Sequence, residues 1–250
     1  MKAIIIAAGL GSRLKPYTNE IPKPLVKIGN KTILQSQLHI FNSLGIKDTY
    51  IIVGYKKEKF KYKKINYIYN VQFKKNNILE FIFCASSKMN SECIISYSDI
   101  IFKKNVVKKL IKSKEDISIL VDTNWKKIYK GRTLHPISQA ENVSFDKNFF
   151  AKKTGKQLSE KQSDGEFIGM VKLNANGCKI FKKYYQIAKK KYKSKKFYNA
   201  KTFKKAYLTD FFNFLIHHKI NIKCVNIKNN WMEIDTTQDY KIAQNFFKKK

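Results

Sequence analysis

The chain has 250 residues, 43% of them apolar, enough for one domain, or a domain with a modest insertion, that buries roughly three quarters of its unfolded surface; disordered, collagen-like and coiled-coil chains are excluded. Lysine and arginine total 51 against 18 aspartates plus glutamates, a formal net charge of +33, which points to an anionic partner such as nucleic acid, a membrane surface or a phosphorylated metabolite. Only Arg13 and Arg132 are arginines, however, and the lysine excess accompanies many Asn, Ile, Phe and Tyr residues, as AT-biased coding produces; nucleic-acid readers lean on arginine for bidentate contacts, so nucleic acid is not the expected partner.

The first apolar run, Ala3-Ile4-Ile5-Ile6-Ala7, ends near Gly9 and reads as a strand buried on both faces, as in a parallel sheet. Its apolar stretch stops at Ala8, too short for a signal peptide, and a glycine-rich loop follows. From Thr32, a plausible N-cap, Leu34, Leu38, Phe41 and Leu44 fall at helical spacing up to the stop signal Gly45. Strands are then expected at Thr49 to Val53, Asn66 to Tyr69, Cys93 to Tyr97 and Ile117 to Val121. Between them the spacing predicts a helix from about Ile78 and another carrying Val106, Val107, Leu110 and Ile111. Asn124 to Pro136 has no clear period, and the lysine-rich stretch Phe145 to Ser163 is expected to be a hairpin or a flexible excursion. Beyond it come a strand at Phe167 to Leu173, a helix from Cys178 to about Lys190 and an amphipathic helix with Leu208, Phe211, Phe212, Leu215 and Ile216. A strand Ile222 to Ile227, a short one through Trp231 to Asp235 and a helix after Thr236 complete the order. Alternating strands and helices imply an α/β fold: a Rossmann-like, predominantly parallel mixed sheet flanked by helices, with a small inserted mixed region. One domain spanning 1–250 is expected, with 1–122 as its core and 123–250 as the part that completes the sheet.

The four cysteines, Cys84, Cys93, Cys178 and Cys224, form no C-x-x-C pair and have no histidine at zinc-finger spacing, which argues for a reduced, cytoplasmic setting. No segment approaches the roughly 20 apolar residues of a membrane span.

Chemistry concentrates in the loop after the first strand, Ala7-Ala8-Gly9-Leu10-Gly11-Ser12-Arg13-Leu14. Glycines there let the backbone turn sharply and present N–H groups to phosphate oxygens. Three of the four prolines, Pro16, Pro22 and Pro24, stiffen the same loop around Lys23, as a loop holding Arg13 and Lys23 toward a polyphosphate requires.

This loop, followed by Pro22-Lys23-Pro24-Leu25, resembles the signature of the nucleotidylyltransferase superfamily, which transfers NMP from an NTP to a phosphorylated acceptor. The resemblance continues through Ser96-Tyr97-Ser98-Asp99-Ile100 and Trp231-Met232-Glu233-Ile234-Asp235-Thr236, where the family places its two metal aspartates; Ser12 stands where many members have Thr and keeps the hydroxyl. It implies Arg13 and Lys23 as catalytic residues, Ala8, Gly9, Gly11, Ser12 and Asn77 around the nucleotide, and Asp99 and Asp235 as ligands of Mg²⁺. Position alone leaves other roles open: Asp235 as a helix N-cap, Glu233 as a solvated strand residue, and Asn77 as a cap rather than a ligand contact.

The block from Trp125 through Arg132 and His135 to Glu141 is similar to the insert of cytidylyltransferases that handle phosphonates or phosphoramidates. That implies acceptor contacts at Trp125, Arg132, His135, Glu166 and Glu233, with Arg132 gripping a phosphonate or carboxylate bidentately and Glu166 facing a cationic or amino end. A surface ion pair for Arg132, core packing for Trp125 and His135, and an exposed strand acid for Glu166 are the alternatives. The expected partners are CTP and a small acceptor such as 2-aminoethylphosphonate, 2-hydroxyethylphosphonate or phosphocholine, in a pathway that modifies cell-surface polysaccharide or lipid. A homodimer is admitted. A sugar-1-phosphate nucleotidylyltransferase is the second reading, and a non-catalytic nucleic-acid or membrane-surface binder the third.

Overall fold

The computed structural model describes residues 1–246. The chain opens with β1 (Lys2–Ala7), whose isoleucines are buried on both faces. A two-strand hairpin, β2 (Lys27–Ile28) and β3 (Lys31–Thr32), leads into α1 (Ile33–Ser43). That helix starts where it does because Thr32 Oγ1 accepts the Gln35 N–H while the Gln35 side chain accepts the Thr32 N–H, a capping box. There follow β4 (Asp48–Val53), β5 (Asn66–Tyr69), α2 (Ile78–Phe83), β6 (Cys93–Tyr97), β7 (Ile100–Phe102), α3 (Lys104–Ile111) and β8 (Ile117–Asp122). In this half the expected strands and helices all form, within a residue or two of their predicted ends.

The second half holds α4 (Lys126–Tyr129), β9 (Asn142–Phe145), β10 (Ala151–Thr154), β11 (Gly165–Leu173), α5 (Ala175–Tyr192), α6 (Leu208–His217), β12 (Lys223–Ile227), β13 (Trp231–Glu233) and α7 (Thr237–Ala243). One sheet runs β10-β9-β11-β6-β1-β4-β5, and β8 pairs with both β11 and β12. Its core, β6-β1-β4-β5, is parallel, as is the β8–β12 pair, whereas β11 runs antiparallel to β6, β8 and β9. The sheet is therefore mixed, with two large apolar layers on its faces.

Two expectations are sharpened. The lysine-rich excursion is a hairpin, β9–β10, tied to α6: Thr154 N–H donates to Asn213 Oδ1 at 2.9 Å and Asn213 Nδ2 returns a bond to the Thr154 carbonyl at 2.7 Å. α6 is amphipathic as expected, but because that hairpin covers its polar side it is buried at every position from Leu208 to Leu215.

β11 carries the feature that shapes the site. Its register against β8 shifts between Phe167 and Val171, and Gly169 in that bulge has φ +80°. A Cβ there would lie 2.5 Å from the Tyr97 ring, so only glycine lets Tyr97 lie flat against the strand.

Candidate active site

The carboxyl ends of β1 and β6 open into a cleft of about 460 Å³ that the glycine loop, Lys23, Asn77, Asp99 and Asp235 line. This is the edge at which parallel α/β sheets bind ligands. Gly11 has φ +64° and a Cβ on it would come within 3.1 Å of Lys23 Cβ, so the glycine both turns the loop and lets Lys23 approach. Its carbonyl accepts the buried Thr18 hydroxyl at 2.8 Å, which pins the turn.

Asp99 lies in the turn between β6 and β7, and Asp235 just after β13. They meet because β13 pairs antiparallel with β7 and the Ile234 N–H donates to the Asp99 carbonyl at 2.8 Å. The Lys23 ammonium sits between them, 3.1 Å from Asp99 Oδ2 and 2.6 Å from Asp235 Oδ1. Burial alone would lower the Lys23 pKa, but the two carboxylates outweigh it and hold the ammonium above the ordinary lysine range. Burial likewise opposes ionisation of Asp235, yet Lys23 and Arg13 pull its carboxyl below the usual range. Arg13, exposed at the rim, pairs with Asp235 and with the Gln139 side chain. Two carboxylates converging on one cation are a donor set that suits Mg²⁺. His135, Glu233 and Asp235 also bring ligand atoms within 4.8 Å of one another.

Beside the cleft, and sharing Arg13 and Tyr97 with it, is a second cavity of about 40 Å³. Glu141, Glu166 and Glu233 line it together with His135, Lys156 and Trp231. Glu166 is buried, and the Tyr129 hydroxyl donates to its Oε1. Burial, chiefly, pushes the Glu166 carboxyl well above the ordinary range, Glu141 up to about 8 and Glu233 up to about 7, each reinforced by neighbouring acids. The Tyr97 hydroxyl, itself pushed up by burial, donates to Glu141 Oε2 at 3.4 Å.

Of the residues expected at the site, Arg13, Lys23, Gly9, Gly11, Ser12, Asn77, Asp99 and Asp235 line the cleft, and His135, Glu166 and Glu233 line the adjoining cavity. Asn77 precedes α2 but its side chain caps nothing; Nδ2 donates to the Lys205 carbonyl at 3.1 Å. Three expectations are corrected. Ala8 faces the core, fully buried, with its carbonyl accepting the Tyr55 N–H, so Ala7 takes its place in the lining. Trp125 packs with Tyr129 and Ala140 in a small apolar cluster away from both cavities. Arg132 is sealed behind the site: Nε and Nη2 both reach Asp239 Oδ1, at 2.8 and 2.7 Å, and its side chain is 1% exposed. Its guanidinium lies over the Tyr129 ring, and Nη2 is 2.9 Å from His135 Nδ1. Nε and Nη2 are both engaged by the protein, and burial of the side chain keeps it from a ligand.

Asp239 is the anchor of that buried group. Its Oδ2 accepts the Asp235 and Thr236 N–H groups at 3.0 and 2.8 Å, fixing the backbone that presents Asp235. Burial would raise its pKa, but the His135 contact, the Arg132 charge and those two N–H donors bring it down to about 2. Tyr97 and Glu141, which the quoted motifs contain without a role, and Lys156, which no motif contains, also line the adjoining cavity. Scarcity was the available signal for Glu141, one of only 18 acids in the chain.

The family described as Nucleotidyl transferase matches residues 2–127. Among curated proteins, the chain is 30% identical over 97% of its length to CTP:phosphoglutamine cytidylyltransferase of Campylobacter jejuni, covering 98% of that protein. It is 36% identical to choline-phosphate cytidylyltransferase of Streptococcus pneumoniae over 41% of this chain and 47% of that one. Among solved structures, CTP:phosphocholine cytidylyltransferase from Streptococcus pneumoniae superposes with a TM-score of 0.74 at 20% identity, over 98% of both chains. No helix among the described residues is long and apolar enough to cross a membrane.

Proposed function

This chain belongs to the nucleotidyl transferase family, and we propose that it transfers CMP from CTP to a small phosphate or phosphonate monoester with release of pyrophosphate. The observation that carries the reading is the convergence of Lys23, Asp99 and Asp235 at the mouth of the glycine loop, with a separate acidic cavity alongside. Full-length similarity to a CTP-dependent enzyme supports the choice of nucleotide.

In this reading an oxygen of the acceptor's phosphate or phosphonate attacks the α-phosphorus of CTP. The new P–O bond forms as the bond to the bridging oxygen breaks, and pyrophosphate leaves. N–H groups of the loop from Gly9 to Ser12, with Arg13, hold the β- and γ-phosphates; Lys23 turns from the carboxylates to the α-phosphate, where charge builds up in the transition state. Asp99 and Asp235 would hold Mg²⁺, which neutralises the triphosphate and orients the in-line geometry. The acceptor enters through the cavity bounded by Glu141, Glu166 and Glu233. The activated product would serve a later transferase that modifies cell-surface polysaccharide or lipid.

The test is pyrophosphate release with Mg²⁺ and each of the four NTPs against phosphocholine, 2-aminoethylphosphonate, 2-hydroxyethylphosphonate, phosphoglutamine and glucose 1-phosphate. Turnover with CTP and one of the first four is expected. Turnover with glucose 1-phosphate alone would replace this reading with that of a sugar-1-phosphate enzyme.

A further inference from the structure

β5 is the last strand of the sheet on its side, and among the described residues its backbone pairs with β4 alone. Its other side presents N–H and C=O groups to solvent, an edge that folded proteins ordinarily cover or guard. Tyr67 and Tyr69 share one face of that strand and are exposed. Val71, just beyond it, is 70% exposed, more than any other large apolar side chain among the described residues.

The edge ends at a groove of about 650 Å³, roomier than the nucleotide cleft and unused by the reaction. Tyr69 and Val71 form one lip of it, and the buried rings of Phe83, Tyr185 and Phe203 give it an apolar floor between α2 and α5. Lys189, Lys193 and Lys204 line it as exposed cations. Its one acid, Glu80, accepts the Tyr185 hydroxyl and lies 3.9 Å from Lys189.

We infer that this edge and groove together dock an extended acidic segment of a partner protein. The segment adds to the sheet beside β5, and one of its apolar side chains seats between α2 and α5.

Charge selects that partner. No acid lies between Glu58 and Glu80, a stretch that holds β5 and six lysines. None lies from Phe167 through Thr209, which carries thirteen lysines, including the three of the groove. AT-biased coding explains lysine in place of arginine; it does not remove acids from two particular segments that the fold brings together at one groove. A second copy of this chain would set the same lysines against themselves, and lysine at a strand edge guards against such self-pairing. An acidic strand meets them favourably. Nucleic acid offers phosphates, but no peptide backbone to extend the ladder and no aliphatic side chain for the groove.

The probe is a short fluorescein-labelled peptide that alternates glutamate with valine and phenylalanine, added to the full chain in physiological salt. Fluorescence anisotropy should show saturable binding, and amide hydrogen exchange should slow at Asn66 to Tyr69. N-methylation of alternate peptide nitrogens keeps the charge and the side chains but removes ladder donors, and should weaken binding at least about tenfold. Val71→Glu and Lys193→Glu should each weaken it at least about fivefold. Pyrophosphate release should be unchanged in both variants, since neither residue lines the cleft or the adjoining cavity. Equal binding of the N-methylated peptide, or undiminished binding by both variants, would leave only diffuse charge attraction and overturn the docking. Exchange at β5 that slows with protein concentration alone would assign the edge to a second copy. An oligonucleotide that protects the same amides more strongly than the peptide would assign it to nucleic acid. No binding of the peptide would overturn the surface outright.

Discussion

Two ion-pair groups lie back to back in this molecule and share little beyond their chemistry. At the cleft floor, Lys23 and Arg13 face Asp99 and Asp235, and Arg13 is half exposed. Behind it, Arg132 and His135 face Asp239, with all three side chains at most 3% exposed. They are joined through backbone, since Asp239 accepts the Asp235 N–H. The open group has partners it can exchange for a ligand, whereas Arg132 and Asp239 are sealed and fix where Asp235 stands, with His135 reaching from them to the lining of the adjoining cavity. A scarce arginine is thus no guide by itself to ligand contact; the decisive property is whether anything can reach it.

The largest expected effects test the open group. Lys23→Ala and Asp99→Ala should each cost about 10³-fold in kcat while cooperative unfolding in urea is retained; near wild-type pyrophosphate release in either would break the comparison. Arg132→Ala should act the other way, lowering the unfolding free energy by about 3 kcal/mol because the buried Asp239 loses its guanidinium counter-charge. A raised acceptor KM with unchanged stability would return Arg132 to ligand recognition.

Acidity adds a contrast between the adjoining cavity and the sealed group, because Glu141 and Asp239 shift in opposite directions. Glu141 is raised from 4.5 to about 8, so the folded protein binds its proton more tightly than the unfolded chain does. Its contribution to stability is complete below pH 4.5 and is lost as pH rises toward 8. Asp239 is lowered from 3.8 to about 2, so its contribution is present above pH 3.8 and is lost as pH falls toward 2. Urea unfolding across pH should show Glu141→Gln flattening the alkaline-side decline and Asp239→Asn flattening the acid-side one. The smallest change tests the joint between the groups. Thr236 Oγ1 accepts the Asp239 N–H at the start of α7, and Thr236→Ala should cost about 1 kcal/mol, with a smaller loss of kcat than Asp99→Ala.

The first half of the chain was legible because its signals are local. β1 is a run of isoleucines bounded by glycine, α1 begins at a capping residue, and Lys23 lies between prolines in a loop that has to be rigid. Asp99 and Asp235 were legible as strand-end acids in short motifs. What escaped depends on distant pairing. Arg132 is buried only because β7–β13 pairing carries Asp239 to it across 107 positions, and no periodicity reports that. Glu141 sits in a loop, and Tyr97 and the bulge at Gly169 complete its surroundings. The burial of α6 on its polar side escaped as well, since nothing in its own sequence tells that a polar hairpin will cover that side.

The scarcity of acids has a kinetic consequence. Asp99, Asp235 and Glu233 are gathered at one spot on a chain whose formal charge is +33, while exposed lysines dominate the rest of the surface. A polyanionic nucleotide is therefore attracted within the roughly 8 Å over which physiological salt lets charges act, and it meets carboxylates only at the last step, with Lys23 and Arg13 already between them. Encounter with the nucleotide should slow steeply as ionic strength rises, while the chemical step, sheltered in the cleft, stays nearly constant.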